Sequence, residues 1–198
     1  MGERRRRTRL RIIKGAAAAF GRDGFEATTI PDILDAAGVS RRTLYQYFPD
    51  KSALLATIYE RSTAHLLKAR EQAMAGPGNG LDRLRRGQQV FFDFVTSAGP
   101  IVQVLAGQAM RPESPLAPRR LWLHQRIEDL YRDSFREAEG RELVPLAVRA
   151  LILSTETLIL HVQLHHDGDT AVLAQARQLL GWQLEQLVQQ TAPATKTT

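Results

Sequence analysis

The chain has 198 residues, of which 43% are hydrophobic and 24% are charged, a balance that is ordinary for a globular protein and too apolar for a disordered one. It contains no cysteine, which excludes a disulfide scaffold, a thiolate zinc site and a cysteine nucleophile. Its 27 Lys and Arg residues against 21 Asp and Glu residues give a formal net charge of +6.

The excess positive charge lies almost entirely at the amino-terminal end. Residues 1–51 contain 11 Lys and Arg residues and 6 Asp and Glu residues, whereas residues 52–198 contain 16 and 15. This asymmetry indicates an anionic partner for the first quarter of the chain. A basic segment that only increases solubility would give the same count, so charge alone leaves both interpretations open.

Apolar residues recur at helical spacing between clusters of Gly and Pro, and no run alternates as a strand does. The pattern predicts four helices in the first part of the chain, over residues 5–23, 30–37, 41–47 and 51–75. Their caps are the side chains Thr29, Ser40 and Asp50. Further helices are predicted over residues 81–97, 101–110, 117–139, 144–166 and 170–190.

Residues 29–47 form two short helices joined by a turn with a glycine, which is the helix-turn-helix plan. Gly38 supplies the left-handed backbone that the sharp turn needs. At about 100° per residue, Leu44 faces inward and the opposite side of the second short helix carries Arg41, Arg42, Tyr45 and Gln46.

Three cations occupy first turns of helices, where the macrodipole favours acids: Arg41, Arg42 and Lys51. Each placement costs a few tenths of a kcal/mol or about that. A bound polyanion would offset this cost, and free backbone N–H groups at helix starts also bind phosphate. The pattern therefore favours a DNA-binding face over a solvated face that happens to carry arginines.

The segment resembles the DNA-binding region of the TetR/AcrR (tetracycline-repressor-like) family over about residues 9–58. The resemblance implies an all-α fold with an amino-terminal helix-turn-helix three-helix domain, residues 1–50, and a larger carboxy-terminal helical domain for effector binding and dimerisation, residues 51–198. The residues that carry it are Ile13, Ala17, Phe20, Gly24, Phe25, Thr28, Thr29, Ile30, Ile33, Ala37, Gly38, Val39, Ser40, Thr43, Leu44, Tyr45, Tyr47, Phe48, Lys51, Leu54 and Leu55.

The same resemblance implies individual DNA contacts. Base edges in the major groove would meet Arg41, Arg42, Thr43 and Gln46, and an arginine on guanine is the commonest specific contact. Tyr45 would pack on a thymine methyl group or a sugar. Phosphates would be held by Thr28, Thr29, Ser40, Tyr47 and Lys51. Residues 4–7, four arginines, resemble a flexible arm that follows the DNA backbone or enters the minor groove.

The last two predicted helices carry a packing seam. The helix over 144–166 is apolar nearly all round and needs cover on more than one side, and the helix over 170–190 has leucines at seven-residue spacing. The resemblance implies a four-helix interface between two copies, and a seam within one chain is the other interpretation. The candidate interface residues are Leu151, Leu158, Val162, Leu173, Leu180, Leu184 and Leu187.

The middle helices combine large apolar residues with few polar ones, the mixture of a small-molecule site. Ordinary core packing explains most such residues equally well. No cofactor is expected, and the effector would be small and hydrophobic. The candidate ligand-binding residues are Phe91, Phe92, Val95, Gln103, Met110, Trp122, His124, Tyr131, Glu156 and His161.

No enzyme is predicted. No phosphate-binding loop, nucleophile elbow or zinc-protease motif occurs. His161 and His165 are four residues apart without an acidic or cysteine ligand beside them, so we expect no metal. Residues 150–164 are too short and polar for a membrane span, and no apolar segment follows the basic start. A cytoplasmic protein is therefore expected.

These observations predict a sequence-specific transcriptional regulator, a repressor released from a palindromic operator by a small molecule. Two recognition helices in a dimer would read half-sites one helical turn apart, about 34–36 Å. Two alternatives stay open. One is an architectural protein that binds DNA without sequence preference, and the other is a helical small-molecule or interaction protein with no specific DNA target.

Overall fold

A computed structural model describes residues 2–166 and 168–193. These residues form nine α-helices and two short β-strands, so the predicted all-α class is confirmed. The helices are α1 Glu3–Asp23, α2 Ile30–Ala37, α3 Arg41–Tyr45, α4 Lys51–Met74, α5 Gly80–Ala98, α6 Ile101–Met110, α7 Ala117–Glu139, α8 Pro145–His165 and α9 Thr170–Gln189.

Most helix boundaries agree with the sequence pattern to within one residue, and two ends differ by two residues. α1 begins at Glu3 because the carbonyl of Gly2 accepts hydrogen bonds from the backbone N–H groups of Arg5 and Arg6, at 3.0 and 3.2 Å. α3 is two residues shorter than predicted because its end tightens: the N–H of Tyr47 donates to the carbonyl of Leu44 at 2.9 Å. This three-residue spacing is typical of frayed helix ends.

The two strands, β1 Arg141–Leu143 and β2 Thr191–Pro193, were not predicted. They pair antiparallel, with Leu143 opposite Thr191, and the guanidinium of Arg141 donates to the Thr191 hydroxyl at 3.0 Å. Three residues are too few for an alternating pattern to be recognised. The rest of the predicted polar tail, residues 194–198, lies outside the described residues.

The chain divides into two compact units: Met1–Ala64 with Val95–Arg120, and His65–Phe94 with Leu121–Thr198. The predicted boundary at residue 50 differs from this division. The first half of α4 and all of α6 belong to the first unit, because α6 packs against α1. Whether residues 51–198 carry the effector and dimer functions stays a prediction.

The first unit is organised around α1. Its buried side chains, among them Ile12, Ala16 and Phe20 at 0% exposure, lie at the i, i+4, i+8 spacing of one helical face. Gly15 lets α1 and α2 approach closely: a Cβ at this position would lie 2.6 Å from the backbone nitrogen of Ala37. Ordinary carbon contacts are about 3.5–4.0 Å, so this helix pair requires glycine here.

Polar contacts fix α6 and the start of α7 within the first unit. Arg111 forms an ion pair with Glu26 at 2.8 Å, and Gln108 donates to the same carboxylate at 3.2 Å. Arg119 pairs with Glu60 of α4 at 2.7 Å. These partners are 59 to 85 residues apart in the sequence, which is why local patterning does not predict them.

The second unit contains the end of α4, most of α5 and α7, and α8 with α9. Arg86 connects the turn after α4, donating to the carbonyls of Ala73 and Gly76 at 2.7 and 2.9 Å. The N–H of Gly80, at the start of α5, donates to the Glu139 carboxylate at 2.7 Å. α8 packs along α9, with Leu180 and Leu184 fully buried.

α8 is longer than the apolar stretch that the sequence suggested. α8 has 21 residues, and its most apolar window has a mean hydropathy of 1.4. By length and composition the helix is apolar enough to cross a membrane. α5 and α6 pass the same test only as a pair bent by 115°. The core helix of a globular protein also passes it, and α8 packs on α9 and buries Val148, Leu151 and Ile159.

Replacing Gly15 by Ala should destabilise the first unit. The new methyl group meets backbone atoms of Ala37 at 2.6–2.7 Å, and such overpacking costs ~1–3 kcal/mol, more than the gain of about 1 kcal/mol in helix propensity. Urea unfolding followed by circular dichroism measures the change. Gly107→Ala, where a Cβ meets nothing within 4 Å, is the control and should be stabilising by about 0.5–1 kcal/mol. Equal effects of the two substitutions would contradict the proposed close approach.

Candidate nucleic-acid interface and ligand cavity

α2 begins with a capping box. The Thr29 hydroxyl accepts the N–H of Asp32, and the Asp32 carboxylate accepts the backbone N–H of Thr29 at 2.7 Å and its hydroxyl at 2.6 Å. These two hydrogen bonds from Thr29 hold the pKa of Asp32 below its ordinary value. The arrangement satisfies the orphan N–H groups at the start of α2 and fixes the direction in which the chain enters the motif.

The turn between α2 and α3 depends on Gly38, whose φ of 59° is left-handed. The N–H groups of Gly38 and Val39 donate to Asp35 and Leu34 at 3.3 and 3.2 Å. The next residue, Ser40, accepts the N–H of Thr43 at 3.2 Å and caps α3 as predicted. The turn and cap together set the angle at which α3 leaves α2.

α3 presents the face that the sequence predicted. Leu44 is fully buried and Phe48 nearly so, which anchors the helix to the first unit. The exposed side carries Arg41, Arg42, Tyr45 and Gln46, and Tyr45 is 44% exposed. Thr43 and Tyr47 are half-buried, and Ser40 is exposed.

Neither guanidinium on this face, Arg41 or Arg42, has an ion pair or a side-chain hydrogen bond within residues 2–166 and 168–193. Arg41 is the first residue of α3, where the helix dipole disfavours a cation, whereas Arg42 also lies in the last turn of this five-residue helix, so the predicted unfavourable placement applies to Arg41. Two solvated cations beside an exposed phenol and amide form a surface suited to an anionic partner.

The arginines at residues 4–7 are not a flexible arm, and this expectation needs correction. They are exposed residues of the first turns of α1. Glu3 and Arg7 form an ion pair at 3.5 Å one turn apart, and Arg9 places its guanidinium 5.2 Å from the Phe48 ring. Helical order turns this segment into a fixed ridge of positive charge.

Two of the predicted phosphate ligands face inward instead. Thr28 is 1% exposed. Its hydroxyl donates to the carbonyl oxygen of Gly24 at 2.6 Å, and the carbonyl oxygen of Ala19 lies 3.2 Å from the same hydroxyl. The Lys51 ammonium donates to the carbonyls of Phe25, Glu26 and Thr28 at 2.8, 3.1 and 3.1 Å. All three N–H donors of this lysine are used, so Lys51 holds the loop between α1 and α2 rather than a phosphate.

Lys51→Met should therefore lower stability without changing the salt dependence of DNA binding. The substitution removes three charge-assisted hydrogen bonds, and each such bond contributes about 1.5–3 kcal/mol, although water replaces part of that at this half-exposed site. Urea unfolding measures the stability. Removing one phosphate contact lowers the slope of log affinity against log salt by about 1, so we expect the slope of this variant to equal that of the native protein.

Lys14→Met is the matched control, because Lys14 is exposed on α1 and has no hydrogen-bond or ion-pair partner in the described part of the chain. It should leave stability unchanged. If Lys51→Met kept the native stability and lowered the slope of log affinity against log salt, Lys51 would be a phosphate ligand and the structural role would be wrong.

The predicted ligand-binding residues do not form a single site. Val95, Gln103 and Met110 belong to the first unit. Phe92 is buried in α5, whereas Trp122 and His161 are exposed. The remaining four line one cavity of about 60 Å³ within the second unit: Phe91, His124, Tyr131 and Glu156.

That cavity lies among α4, α5, α7 and α8. Apolar side chains form most of its wall: Leu66, Leu123, Ile127, Leu151 and Ile152. His124 and Glu156 approach to 3.3 Å across it. Burial raises the pKa of the Tyr131 phenol, and the nearby Arg70 cation opposes that rise. Arg70, which also lines the cavity, is the residue that sequence reasoning missed.

The signal for Arg70 was its helical register. Leu66, Arg70 and Met74 are four residues apart, and all three are buried on the same face of α4. A cation at this position of an apolar stripe is unusual, since buried arginines are rare unless paired. If the helical periodicity is applied to charged as well as apolar residues, it predicts that Arg70 lies on the buried face of α4.

Most of the predicted interface residues are covered by their own chain, which corrects that expectation. Leu151, Val162, Leu180, Leu184 and Leu187 are buried, as expected of a seam within one chain; Leu158 and Leu173 are half-buried. The large apolar residues exposed on the same two helices are Leu146, Leu153 and Leu164 on α8 and Leu179 and Trp182 on α9, at 40–77% exposure.

Three histidines lie close together near the end of α8. The rings of His161 and His165 lie 4.7 Å apart, and His161 and His166 lie 5.6 Å apart. Among residues 2–166 and 168–193, no group of three or more His, Cys, Asp and Glu side chains has the arrangement of a metal site.

Comparison with known proteins gives a match to one family model. Residues 12–58 match the model described as bacterial regulatory proteins, tetR family. This segment contains the second half of α1, the α2–turn–α3 motif with the exposed Arg41 and Arg42, and the start of α4.

Individual relatives extend the similarity further. The transcriptional activator FasR of Mycolicibacterium smegmatis is 25% identical over 166 residues, covering 81% of this chain and 76% of FasR. The regulator AcrR of Shigella flexneri is 38% identical over 80 residues, which cover 39% of this chain and only 37% of AcrR. A TetR regulator structure from Chloroflexus aurantiacus superposes on 98% of this chain with a TM-score of 0.76 at 20% identity, which supports the fold alone.

Proposed function

We propose that the chain is a homodimeric repressor of the tetR family, whose model residues 12–58 match, and that it binds a palindromic operator and is released by a small molecule. It is a DNA-binding transcriptional regulator. The observation that carries the specific proposal is the pair of guanidinium groups, Arg41 and Arg42, that have no partner among the described residues and lie on α3 of a capped helix-turn-helix.

The contacts follow from this geometry. Arg41 and Arg42 reach guanine O6 and N7 in the major groove, with Gln46 on a neighbouring base and Tyr45 against a thymine methyl or a sugar. Thr43 is half-buried, and its hydroxyl lies 2.9 Å from that of Ser40. It contacts a base edge only at the edge of the protein–DNA interface. Thr29, Ser40 and Tyr47 hold phosphates, while Thr28 and Lys51 stabilise the loop behind them.

Replacing Arg41 and Arg42 by Ala should abolish site preference. Each bidentate arginine contact with guanine contributes about 1–3 kcal/mol of discrimination, so the double variant should lose at least about tenfold in specific affinity. Selection of bound DNA from a random pool at about 0.15 M salt, where nonspecific phosphate binding is suppressed, measures the preference.

The control removes the same charge elsewhere. Arg126 and Arg136 are half-exposed on α7 and pair with Asp129 and Asp133, and replacing both by Ala should leave the recovered motif unchanged. An even loss of affinity across all sequences would favour the architectural alternative. Failure of the folded native protein to enrich any motif would overturn sequence-specific binding.

The direction of regulation is part of the proposal. FasR is named as an activator, whereas a repressor lowers transcription from a promoter that overlaps its operator. The DNA recovered in the selection provides the template for that comparison. An increase in transcript on addition of the protein would make this chain an activator and leave the DNA contacts as they stand.

Dimerisation is supported by the apolar surface that α8 and α9 leave open. Leu153, Leu164, Leu179 and Trp182 are all at least 40% exposed, and exposed apolar patches on regulators mark interaction surfaces. A four-helix packing of α8 and α9 with the same helices of a second copy would cover them. The two α3 helices would then read two half-sites about 34–36 Å apart.

The combined substitution Leu179→Glu and Trp182→Glu should convert the dimer to a monomer. Two unpaired carboxylates in the apolar interface would be costly to desolvate, so sedimentation should report half the native mass at micromolar concentration. Leu121→Glu, at a leucine on α7 that is 60% exposed, is the control and should remain dimeric. A native mass for the double variant would place the interface elsewhere.

A further inference from the structure

The cavity in the second unit contains a charge that has no ion-pair partner in the part of the chain that the structure describes. Its volume of about 60 Å³ compares with the 10–15 Å³ or so that one water molecule needs by the same measure. The space therefore has room for a small organic molecule of a few heavy atoms. Its walls come from four helices and are mainly aliphatic and aromatic.

Arg70 lies in this wall. It is 4% exposed, and its Nε atom is buried without a hydrogen-bond partner. Within residues 2–166 and 168–193, no side chain or carbonyl forms a hydrogen bond or an ion pair with its guanidinium. The guanidinium carbon lies 5.4 Å from the centre of the Phe91 ring and 5.7 Å from that of Tyr131.

This environment is unfavourable for an isolated cation. Arginine stays charged in proteins, and burying a charge is costly unless a counter-ion and hydrogen bonds accompany it. Contact with two aromatic faces recovers only part of that cost. An anionic group in the cavity would complete the site, and a guanidinium fork matches a carboxylate through two parallel hydrogen bonds.

The Glu156 carboxylate also lines the cavity, and it lies 3.3 Å from the His124 ring nitrogen. Glu128 accepts a hydrogen bond from Arg149 at 2.8 Å. Among residues 2–166 and 168–193, neither of these two carboxylates forms an ion pair with Arg70.

We propose that this cavity is the effector site and that it binds a small organic monocarboxylate, with the carboxylate on the Arg70 guanidinium and the apolar body against Leu66, Leu123 and Leu151. The proposal rests on the proposed regulatory function and narrows the expected hydrophobic effector to an acid. Phe91 and Tyr131, which hold the guanidinium between them, position it for a planar anion.

The test compares acids with their uncharged amides. Acetate with acetamide, and propanoate with propanamide, are pairs matched in shape that differ in charge, and their small size suits a cavity of about 60 Å³. In isothermal titration at pH 7 the full-length protein should bind at least one acid about tenfold or more tightly than its amide, because hydrogen bonds to charged groups are the strong ones. Arg70→Met should reduce that ratio to near one, and Arg70→Lys should retain part of it.

Arg177→Met is the matched control. Arg177 also has an Nε atom without a partner and places its guanidinium 5.0 Å from an aromatic ring, that of Phe92. It does not line the cavity, so this variant should keep the native preference for the acid. Loss of the preference in Arg177→Met as well would overturn the assignment to Arg70.

Three other results would overturn the proposal: equal binding of acid and amide by the native protein, no binding of either acid, or an undiminished preference in Arg70→Met. The first two need no variant, so they decide the matter even if Arg70→Met does not fold. Selection of DNA without added ligand is measured in parallel. Acid binding without a DNA motif would contradict the regulatory function alone, and a DNA motif without acid binding would contradict this inference alone.

Discussion

The DNA-binding motif depends on one interaction, in which the Lys51 ammonium donates hydrogen bonds to three carbonyls of the loop between α1 and α2. The loop has no regular structure, so its carbonyls need a donor from elsewhere. The same ammonium lies 4.6 Å from the Phe25 ring, which packs edge-on against buried Phe20. The start of α4 thereby fixes the end of α1 and the entry to α2, and α3 follows from the turn at Gly38.

A cation that donates to backbone carbonyls of its own chain and a cation that is exposed for binding a ligand are distinguished only by the groups around them. Lys51 and Arg41 both occupy the first turn of a helix, where sequence arguments treat them alike. The lysine has three acceptors within 3.1 Å, whereas the arginine has no partner in the described part of the chain. Unfavourable placement therefore indicates that a compensating partner exists and leaves open whether the protein or a ligand provides it.

Local chemistry made the helices, the caps and the exposed face of α3 predictable from sequence, because spacing, Ser40 and Gly38 act within a few residues. The predictions that were wrong concern residues whose contacts come from distant parts of the sequence. Thr28 is buried by α1, and the leucines of α9 are covered by α8 of the same chain. Nor can periodicity tell a seam within one chain from one between two. Arg70 was missed because only apolar residues were read as core.

A ligand changes DNA affinity only if it binds the DNA-competent and DNA-incompetent states unequally. Typical coupling of about 1–3 kcal/mol changes affinity about 5–150-fold, and it is reciprocal. α4 carries Lys51 at its start and Arg70 near its end within one uninterrupted helix, so it belongs to both units. An acid that neutralises Arg70 would act on DNA binding if the cost of burying this cation differs between the two states. Operator DNA would then weaken acid binding by the same factor, and equal acid affinity with and without operator would mean that the site has no regulatory role.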